Sequence, residues 1–216
     1  MESNIDFSNA AILIIDMQND FVVQGAPIEC AAARDALPSM RALVSMGRDN
    51  NIPIIFTQEV HRNDEVDFGL ELEYGEPIHC LEGSKGVDFI DTLRPGSDDY
   101  IIRKRRYSAF FATDLEILLK GLKVDVLILA GVATDVCVRA TAQDAHQLNY
   151  KVVVVPECVA GTNPDRHLAA LENISYIFGS VVPLDSLGNR LCRQRSPLTP
   201  GTARFPASIK SQIFNS

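Results

Sequence analysis

The stretch GVATDVCV, residues 131–138, places a cysteine where a thiol could act as a nucleophile. The apolar run VDVLILA precedes this stretch and predicts a buried strand, whereas RATAQDAHQL follows it and predicts a helix. Cys137 therefore falls in the first turn of the predicted helix, where backbone N–H groups lower a thiol pKa. The alternative is that Cys137 only fills space, because free cysteine is among the most buried residue types.

Two charged residues stand at comparable places after other predicted strands. Asp16 ends the apolar run AAILIID, and Lys104 ends DYIIRK. The carboxyl ends of strands in an open parallel sheet meet at one edge, where ligands bind. There, a carboxylate could take a thiol proton, and an ammonium could hold both groups in their charged forms. The alternatives are that Asp16 caps nearby backbone N–H groups and that Lys104 is an ordinary surface lysine.

The other cysteines do not follow a predicted strand and begin a predicted helix as Cys137 does, and the histidines are scattered. Cys30 and Cys80 lie in predicted loops, Cys192 lies near the C-terminal end, and no helix starts soon after Cys158. His146 is nine residues beyond Cys137 in the same predicted helix, too far along it to be the base of that thiol. The motifs of serine hydrolases, phosphate loops, dinucleotide sites and zinc sites are absent from the sequence.

Strand-like and helix-like segments alternate along the chain. The predicted strands cover residues 10–16, 53–59, 99–104, 124–131 and 150–157, with a possible sixth at 181–184. The predicted helices cover residues 32–50, 113–120, 134–148 and 165–178. Near-continuous apolar strands indicate burial on both faces, so we predict an α/β fold with a parallel sheet between helices. The polar loop at 60–86 is long enough to be functional or lid-like.

Length and composition restrict the class of protein. A chain of 216 residues with 46% hydrophobic content suits one large domain with a full core. Its formal net charge of −8 argues against a nucleic-acid binder and against a membrane-surface binder. Five cysteines without a CxxC pair fit a reducing compartment, and no apolar run approaches the ~20 residues of a membrane span. We therefore expect a cytoplasmic protein.

Three motifs together closely resemble the isochorismatase-like cysteine hydrolases. They are D-x-Q after the first strand, K-x-x-Y-S-A-F after the third and G-V-A-T-x-x-C-V after the fourth. The resemblance extends from about residue 8 to about residue 182. It implies a three-layer αβα fold around a six-stranded parallel sheet.

The resemblance also implies roles for individual residues. Cys137 would be the nucleophile, Asp16 the proton acceptor and donor, and Lys104 the cation that stabilises the thiolate and the charged intermediates. The family carries a cis peptide bond that would lie between Val132 and Ala133 here. It would turn the N–H of Ala133 inward, and with the N–H of Cys137 this would form an oxyanion hole.

The motifs favour one branch of the family. Members that cleave isochorismate lack the nucleophilic cysteine, so its presence favours hydrolysis of a C–N bond. The segments KRRYSAFF and TQE are more similar to ureidoacrylate, biuret and N-carbamoylsarcosine amidohydrolases, which act on small linear amides and carbamoyl groups. The substrate would be a small amide or ureide, cleaved through a thioester with release of ammonia or an amine. The residues carried over as substrate contacts are Phe21, Glu59, His61, Tyr107 and Phe110.

Three of these assignments have a second interpretation or a finer hypothesis. Phe21 and Phe110 could equally be core residues, because aromatic side chains dominate cores generally. An acidic Glu59 could favour a substrate with a free NH₂ group or a positive charge.

The stretch after the second strand bears on metal binding. Nicotinamidases of this superfamily have D-x-H and further histidines there and bind a metal ion. This chain has Glu59 and His61 in that pattern, with Asp67 where a further histidine is expected. These three side chains could bind a divalent ion, but the two departures favour a pocket without metal or cofactor. A metal-assisted nicotinamidase-type amidase is one alternative, and a catalytically silent binding or scaffold subunit is another.

The end of the chain breaks the alternation of strands and helices. Residues 185–216 contain four arginines and three prolines with little periodicity, so we interpret them as a C-terminal tail. The tail would be mobile or packed on a neighbouring subunit, and residues 1–184 would form the hydrolase domain. The resemblance further implies a homo-oligomer, a dimer or a tetramer.

Overall fold

The computed structural model describes residues 5–194, and these contain one six-stranded sheet. Its order is β3-β2-β1-β4-β5-β6, and every neighbouring pair is parallel. The strands are β1 (Ala10–Ile15), β2 (Ile54–Glu59), β3 (Tyr100–Lys104), β4 (Val126–Val132), β5 (Lys151–Ala160) and β6 (Ser180–Val181). The predicted α/β fold with a six-stranded parallel sheet is confirmed.

Helices cover both faces of the sheet. They are α1 (Asn19–Val22), α2 (Ala33–Asp49), α3 (Leu115–Gly121), α4 (Arg139–Gln147), α5 (Pro164–Asn173) and α6 (Leu184–Gln194). A π-helical turn, Thr134–Val138, leads into α4, and a second one, Ile174–Phe178, follows α5. Helices α2 and α6 contribute to the apolar cluster on one face, and α3 and α4 to the cluster on the other.

The strand β1 shows how the sheet divides the core. All six of its residues are buried, and they alternate between the two clusters, with Ile12 and Ile14 on one side and Leu13 and Ile15 on the other. Gly47 of α2 lies against this strand, because an added Cβ would come within 2.5 Å of Ile12 Cδ1. The glycine therefore allows close packing of α2 on the centre of the sheet.

The strand β5 is longer than the sequence predicts. It continues beyond residue 157 to Ala160, so Glu157 and Cys158 lie within the strand rather than at its end. Its pairing with β4 shifts register between Leu129 and Gly131, which accommodates the irregular stretch around Pro156. Cys158 is buried in the core, where burial raises its pKa to about 12.

The interpretation of residues 185–216 as a tail is wrong for their first part. Helix α6 covers Leu184–Gln194, and its Leu187 and Leu191 are buried in the same cluster as α2. Residues 195–216 lie outside the described part of the chain, so the rest of that prediction stays a prediction. Within residues 5–194, no helix has the length and apolar character needed to cross a membrane.

Candidate active site

The carboxylate, the ammonium and the thiol that the sequence singles out lie together at the carboxyl edge of the sheet. Lys104 Nζ lies 2.8 Å from Asp16 Oδ2 and donates a hydrogen bond to Cys137 Sγ at 3.6 Å. All three residues are at most 2% exposed. Neither alternative interpretation, a surface lysine or an isolated cysteine in the core, fits this arrangement.

The end of β1 sets the position of Asp16. Its backbone N–H donates to Thr57 Oγ1 at 3.0 Å, and the Thr57 hydroxyl donates to Asp16 Oδ1 at 2.6 Å. The φ of Asp16 is 50°, in the left-handed region, so the chain turns sharply there. Thr57 of the neighbouring strand therefore fixes Asp16 through two hydrogen bonds, one to its backbone and one to its carboxylate.

The turn after β4 positions the thiol. The Ala133 carbonyl accepts hydrogen bonds from the N–H groups of Val136 and Val138, at 3.0 and 3.1 Å. Cys137 lies in the π-helical turn that these bonds help to close. The peptide bond between Val132 and Ala133 is cis, as the family resemblance implies.

A second buried carboxylate, that of Glu59, contacts Lys104. Lys104 Nζ donates to Glu59 Oε2 at 2.5 Å, and His79 Nε2 lies 2.9 Å from Glu59 Oε1. Both oxygens of Glu59 are thus already hydrogen-bonded within the protein. This differs from the hypothesis of an acidic side chain open to a substrate amine, because burial of such a charge requires internal partners.

His79 belongs to this group, and the sequence analysis did not identify it. It lies 20 positions after Glu59, beyond a mostly irregular loop, and its Nδ1 lies 2.7 Å from the carbonyl oxygen of Pro77. The ring of Phe68 stacks on His61 at 3.8 Å and meets His79 edge-on at 5.3 Å. Periodicity carries no signal for this contact, and only the polar loop itself indicated that chemistry could lie there.

Gln18 is a second residue whose role was missed. Its Nε2 donates to the carbonyl oxygens of Glu59 and Val87, at 2.8 and 2.9 Å, and its Oε1 accepts from Glu59 N–H at 2.8 Å. This amide fastens the end of β2 to the end of β1. The D-x-Q motif contains this glutamine, but it predicted only the family resemblance and not this contact.

The candidate metal ligands form a different set from the predicted one. Asp67 pairs with Arg62 at 2.9 Å and with Arg105 at 2.6 Å, and it lies 3.5 Å from His61 Nδ1. In its place His79 joins Glu59 and His61, and ligand atoms of these three all lie within 4.8 Å of one another. One carboxylate and two imidazoles are a donor set that suits zinc and related ions, so these residues fit a divalent cation.

The three predicted aromatic contacts differ in their placement. Phe21 is buried and meets the ring of His79 edge-on at 6.3 Å, beside the site. Tyr107 is 40% exposed, and its hydroxyl donates to Glu76 Oε2 at 3.3 Å. Phe110 packs against Tyr150 at 5.8 Å, and Tyr150 precedes β5 at the opposite edge of the sheet. The structure therefore supports the core interpretation of Phe110.

Burial and neighbouring charges set the protonation of the buried group. Burial raises the pKa of Asp16 despite the opposing charge of Lys104. Burial also raises the pKa of Cys137 well above its usual value, with Asp16 and Glu59 adding to the effect. Burial alone would raise the pKa of Glu59 and lower that of Lys104. The charges around these two groups reverse both effects, leaving the Glu59 pKa well below and the Lys104 pKa well above the usual values.

Charge balance then favours one proton transfer. With Asp16 and Glu59 ionised beside one ammonium, loss of the Cys137 proton to solvent would add a further negative charge to a buried site. Transfer of that proton to Asp16 leaves the net charge unchanged, and burial already favours the protonated carboxyl. The arrangement can therefore generate a thiolate internally, next to the Lys104 ammonium.

Comparison with known proteins gives a matching family profile and similar sequences. A family profile described as "Isochorismatase domain" matches residues 10–186. The chain is 33% identical over 175 residues to a probable inactive nicotinamidase from Arabidopsis thaliana, covering 78% of this chain and 89% of that one. It is 31% identical over 174 residues to a maleamate amidohydrolase from Pseudomonas putida, covering 80% and 82%.

A solved structure has a similar fold. The crystal structure of an isochorismatase-like hydrolase from Alkaliphilus metalliredigens superposes with a TM-score of 0.77 at 37% identity. The match covers 83% of this chain and 97% of that one.

Proposed function

Because the chain belongs to the isochorismatase family of hydrolases, we propose that it is a cysteine-dependent amidohydrolase. Its substrate would be a small linear amide, ureide or carbamoyl compound. The observation that carries the proposal is the buried contact of Lys104 with both Asp16 and Cys137, at 2.8 and 3.6 Å. The amidohydrolase name of a relative that aligns with 80% of the chain supports the choice of a C–N bond.

In the first half of the proposed reaction, Asp16 takes the proton of the Cys137 thiol. The thiolate attacks the substrate carbonyl carbon, a C–S bond forms, and the carbonyl π electrons move onto oxygen. The N–H groups of Ala133 and Cys137 would stabilise this oxyanion, each donor contributing roughly 3 kcal/mol. When the intermediate collapses, the C–N bond breaks and Asp16 returns its proton to the leaving nitrogen.

In the second half, water cleaves the thioester. Asp16 accepts a proton from the water, whose oxygen attacks the thioester carbonyl carbon. Collapse of that intermediate breaks the C–S bond, and the proton on Asp16 restores the thiol. Lys104 stays protonated throughout, because its neighbours hold its pKa well above the usual value.

Ammonia release tests this proposal. The wild type and Cys137→Ala would be assayed with nicotinamide, biuret, N-carbamoyl amino acids, ureidoacrylate and maleamate. We expect release by the wild type alone, with the best compound identifying the substrate class. Equal release by both proteins would contradict a role for the thiol. No release from any compound would favour a catalytically silent subunit.

A second candidate is a metal-assisted amidase, and the cluster of Glu59, His61 and His79 favours it. A divalent cation held by these residues would supply a positive centre for a substrate heteroatom. Glu59 would then link that centre to Lys104 through its other oxygen. This candidate shares Cys137 and Asp16 with the first.

Metal content after purification separates the two candidates. Elemental analysis of the wild type, of His79→Ala and of a His146→Ala control would give the metal per chain. A cation present in the wild type and the control but absent from His79→Ala would support the metal-assisted reaction. Less than a tenth of an equivalent in the wild type after incubation with zinc would contradict it.

A further inference from the structure

We infer that Glu76 determines which substrates this site accepts, by presenting a carboxylate to the part of the substrate remote from the scissile bond. It selects a neutral or cationic group with N–H donors, such as a terminal ureide, and rejects a carboxylate. The inference deepens the proposed amidohydrolase function and rests on it.

The first observation is that Glu76 stands where the buried group meets solvent. Its Oε1 lies 3.9 Å from His79 Nε2, and the same nitrogen lies 2.9 Å from Glu59 Oε1. The side chain of His79 is 1% exposed, whereas that of Glu76 is 32% exposed. Glu76 thus contacts the buried His79 and is itself partly exposed, so a ligand arriving from solvent can reach it.

The second observation is the partner of Glu76. Its Oε2 accepts a hydrogen bond from Tyr107 at 3.3 Å. Tyr107 follows Lys104 by three residues, and Lys104 Nζ donates to the intervening Arg106 carbonyl at 3.0 Å. Burial and the nearby charges of Glu76, Glu71 and Cys137 all raise the pKa of Tyr107. Glu76 and Tyr107 therefore lie beside the segment that carries Lys104, and both side chains are partly exposed to solvent.

The third observation is the pairing of the charged side chains beside His61 and His79. Arg62 and Arg105 both bind the Asp67 carboxylate, and Arg106 donates to the Asp67 carbonyl at 2.7 Å. Glu76 has a weaker arrangement, since the basic side chain paired with it among residues 5–194 is the imidazole of His79, at 3.9 Å. The Glu76 carboxylate is consequently less fully paired than that of Asp67, and the guanidinium groups of the three arginines already have acceptors of their own.

This arrangement has a chemical consequence for the ligand. A carboxylate accepts hydrogen bonds and cannot donate them, so it pairs with N–H groups or cations. A second carboxylate brought to the same half-buried place would meet like charge at low dielectric. A ureide end with its NH₂ group satisfies Glu76, whereas a carboxylate end does not.

Binding to an inactive enzyme tests the inference separately from catalysis. Biuret and N-carbamoylglycine share a carbamoyl end and differ at the other, which is a primary amide in one and a carboxylate in the other. Their dissociation constants would be measured calorimetrically for Cys137→Ala alone and combined with Glu76→Gln. Glu73→Gln in the same background is the matched control, since Glu73 is an exposed carboxylate of the same loop.

We expect Glu76→Gln to weaken biuret binding about 10-fold or more, as for loss of a hydrogen bond to a charged group. It should strengthen N-carbamoylglycine binding several-fold, and Glu73→Gln should change neither by more than about twofold. Equal shifts for both compounds, or no binding of either one, would overturn the inference. Ammonia release by the wild type but not by Cys137→Ala would uphold the proposed function even then.

Discussion

At the scale of single residues, Lys104 is central to the site because its ammonium contacts two buried carboxylates. Asp16 Oδ2 and Glu59 Oε2 lie 2.8 and 2.5 Å from its Nζ. The same nitrogen donates a hydrogen bond to Cys137 Sγ at 3.6 Å. A single buried cation beside several acidic groups keeps the total charge low only while one of those groups is protonated. The proton can reside on sulfur or on Asp16, and the proposed reaction uses both states.

The pH dependence of kcat/KM should report Asp16. Burial raises its pKa above the ordinary value of 3.8, and the carboxyl must be ionised to accept the thiol proton. Activity should therefore fall as the pH is lowered through a value above 3.8, before an ordinary aspartate would titrate. A pH–rate profile on the best substrate measures this limb, and a limb at or below pH 3.8 would contradict the assignment.

Sequence reasoning found the residues that follow strands and missed those that the long loop delivers. Asp16, Lys104 and Cys137 each stand at a strand end, and the topology of a parallel sheet brings such ends together. His79 and Glu76 come from irregular chain, whose path depends on many side-chain contacts rather than on a period. Their approach to Glu59 and Tyr107 was therefore not predictable from the pattern.

At the scale of elements, the end of β4 controls where the π-helical turn with Cys137 lies. Gly131 has φ 108°, and an added Cβ would come within 2.1 Å of the Ile15 carbonyl oxygen. That atom belongs to the neighbouring strand, one residue before Asp16. Backbone atoms cannot move aside as a flexible side chain can, so a side chain here must separate the ends of β1 and β4.

We expect Gly131→Ala to remove nearly all activity and to lower the free energy of unfolding by about 3 kcal/mol or more. Gly121→Ala is the matched control, since an added Cβ there meets nothing within 4 Å. Its free energy of unfolding should be unchanged or higher. Urea denaturation and the ammonia assay measure both variants. An active, stable Gly131→Ala would contradict the packing argument.

The helix α6 yields a second test at this scale. Leu187 is 0% exposed and packs in the cluster that α2 covers. Leu187→Ala should lower the free energy of unfolding by about 2–4 kcal/mol, through loss of buried apolar surface and an unfilled cavity. Asn189→Ala, an exposed position of the same helix, should change it by less than about 0.5 kcal/mol. Equal stabilities would contradict the packing of α6 on this core.

The sequence contained a signal for α6 that the composition of the whole segment concealed. Leu184, Leu187 and Leu191 recur at helical spacing, and the last two are buried. When residues 185–216 are taken as one segment, the proline-rich and arginine-rich residues that follow conceal the helical spacing of these leucines. The end of β5 was also predicted too early, at residue 157, whereas the strand continues to Ala160.

At the scale of the whole molecule, the type of sheet could be predicted but its strand order could not. Continuous apolar strands alternating with helices predict parallel strands buried on both faces. The order β3-β2-β1-β4-β5-β6 depends on which edges pair over long sequence separations, such as Ala10 with Val126. No local pattern in either strand encodes that partnership.

The oligomeric state remains a prediction of the family resemblance. We expect sedimentation to give a mass of two or four times the 23.7 kDa of one chain at micromolar concentration. The net charge of −8 repels like surfaces, so raising the salt concentration should not dissociate the assembly. A single species of 23.7 kDa at all concentrations would contradict the prediction.

The strand order divides the proposed catalytic residues between the two halves of the polypeptide. Residues before position 98 carry Asp16, directly after β1, and Glu59, the last residue of β2, and residues after it carry Lys104 and Cys137. Because β1 and β2 lie between β3 and β4, the second half alone has a gap in its sheet between the lysine and the cysteine. A chain cut in the exposed loop near residue 98 would thus give two inert fragments, and activity on mixing them would directly report their reassembly.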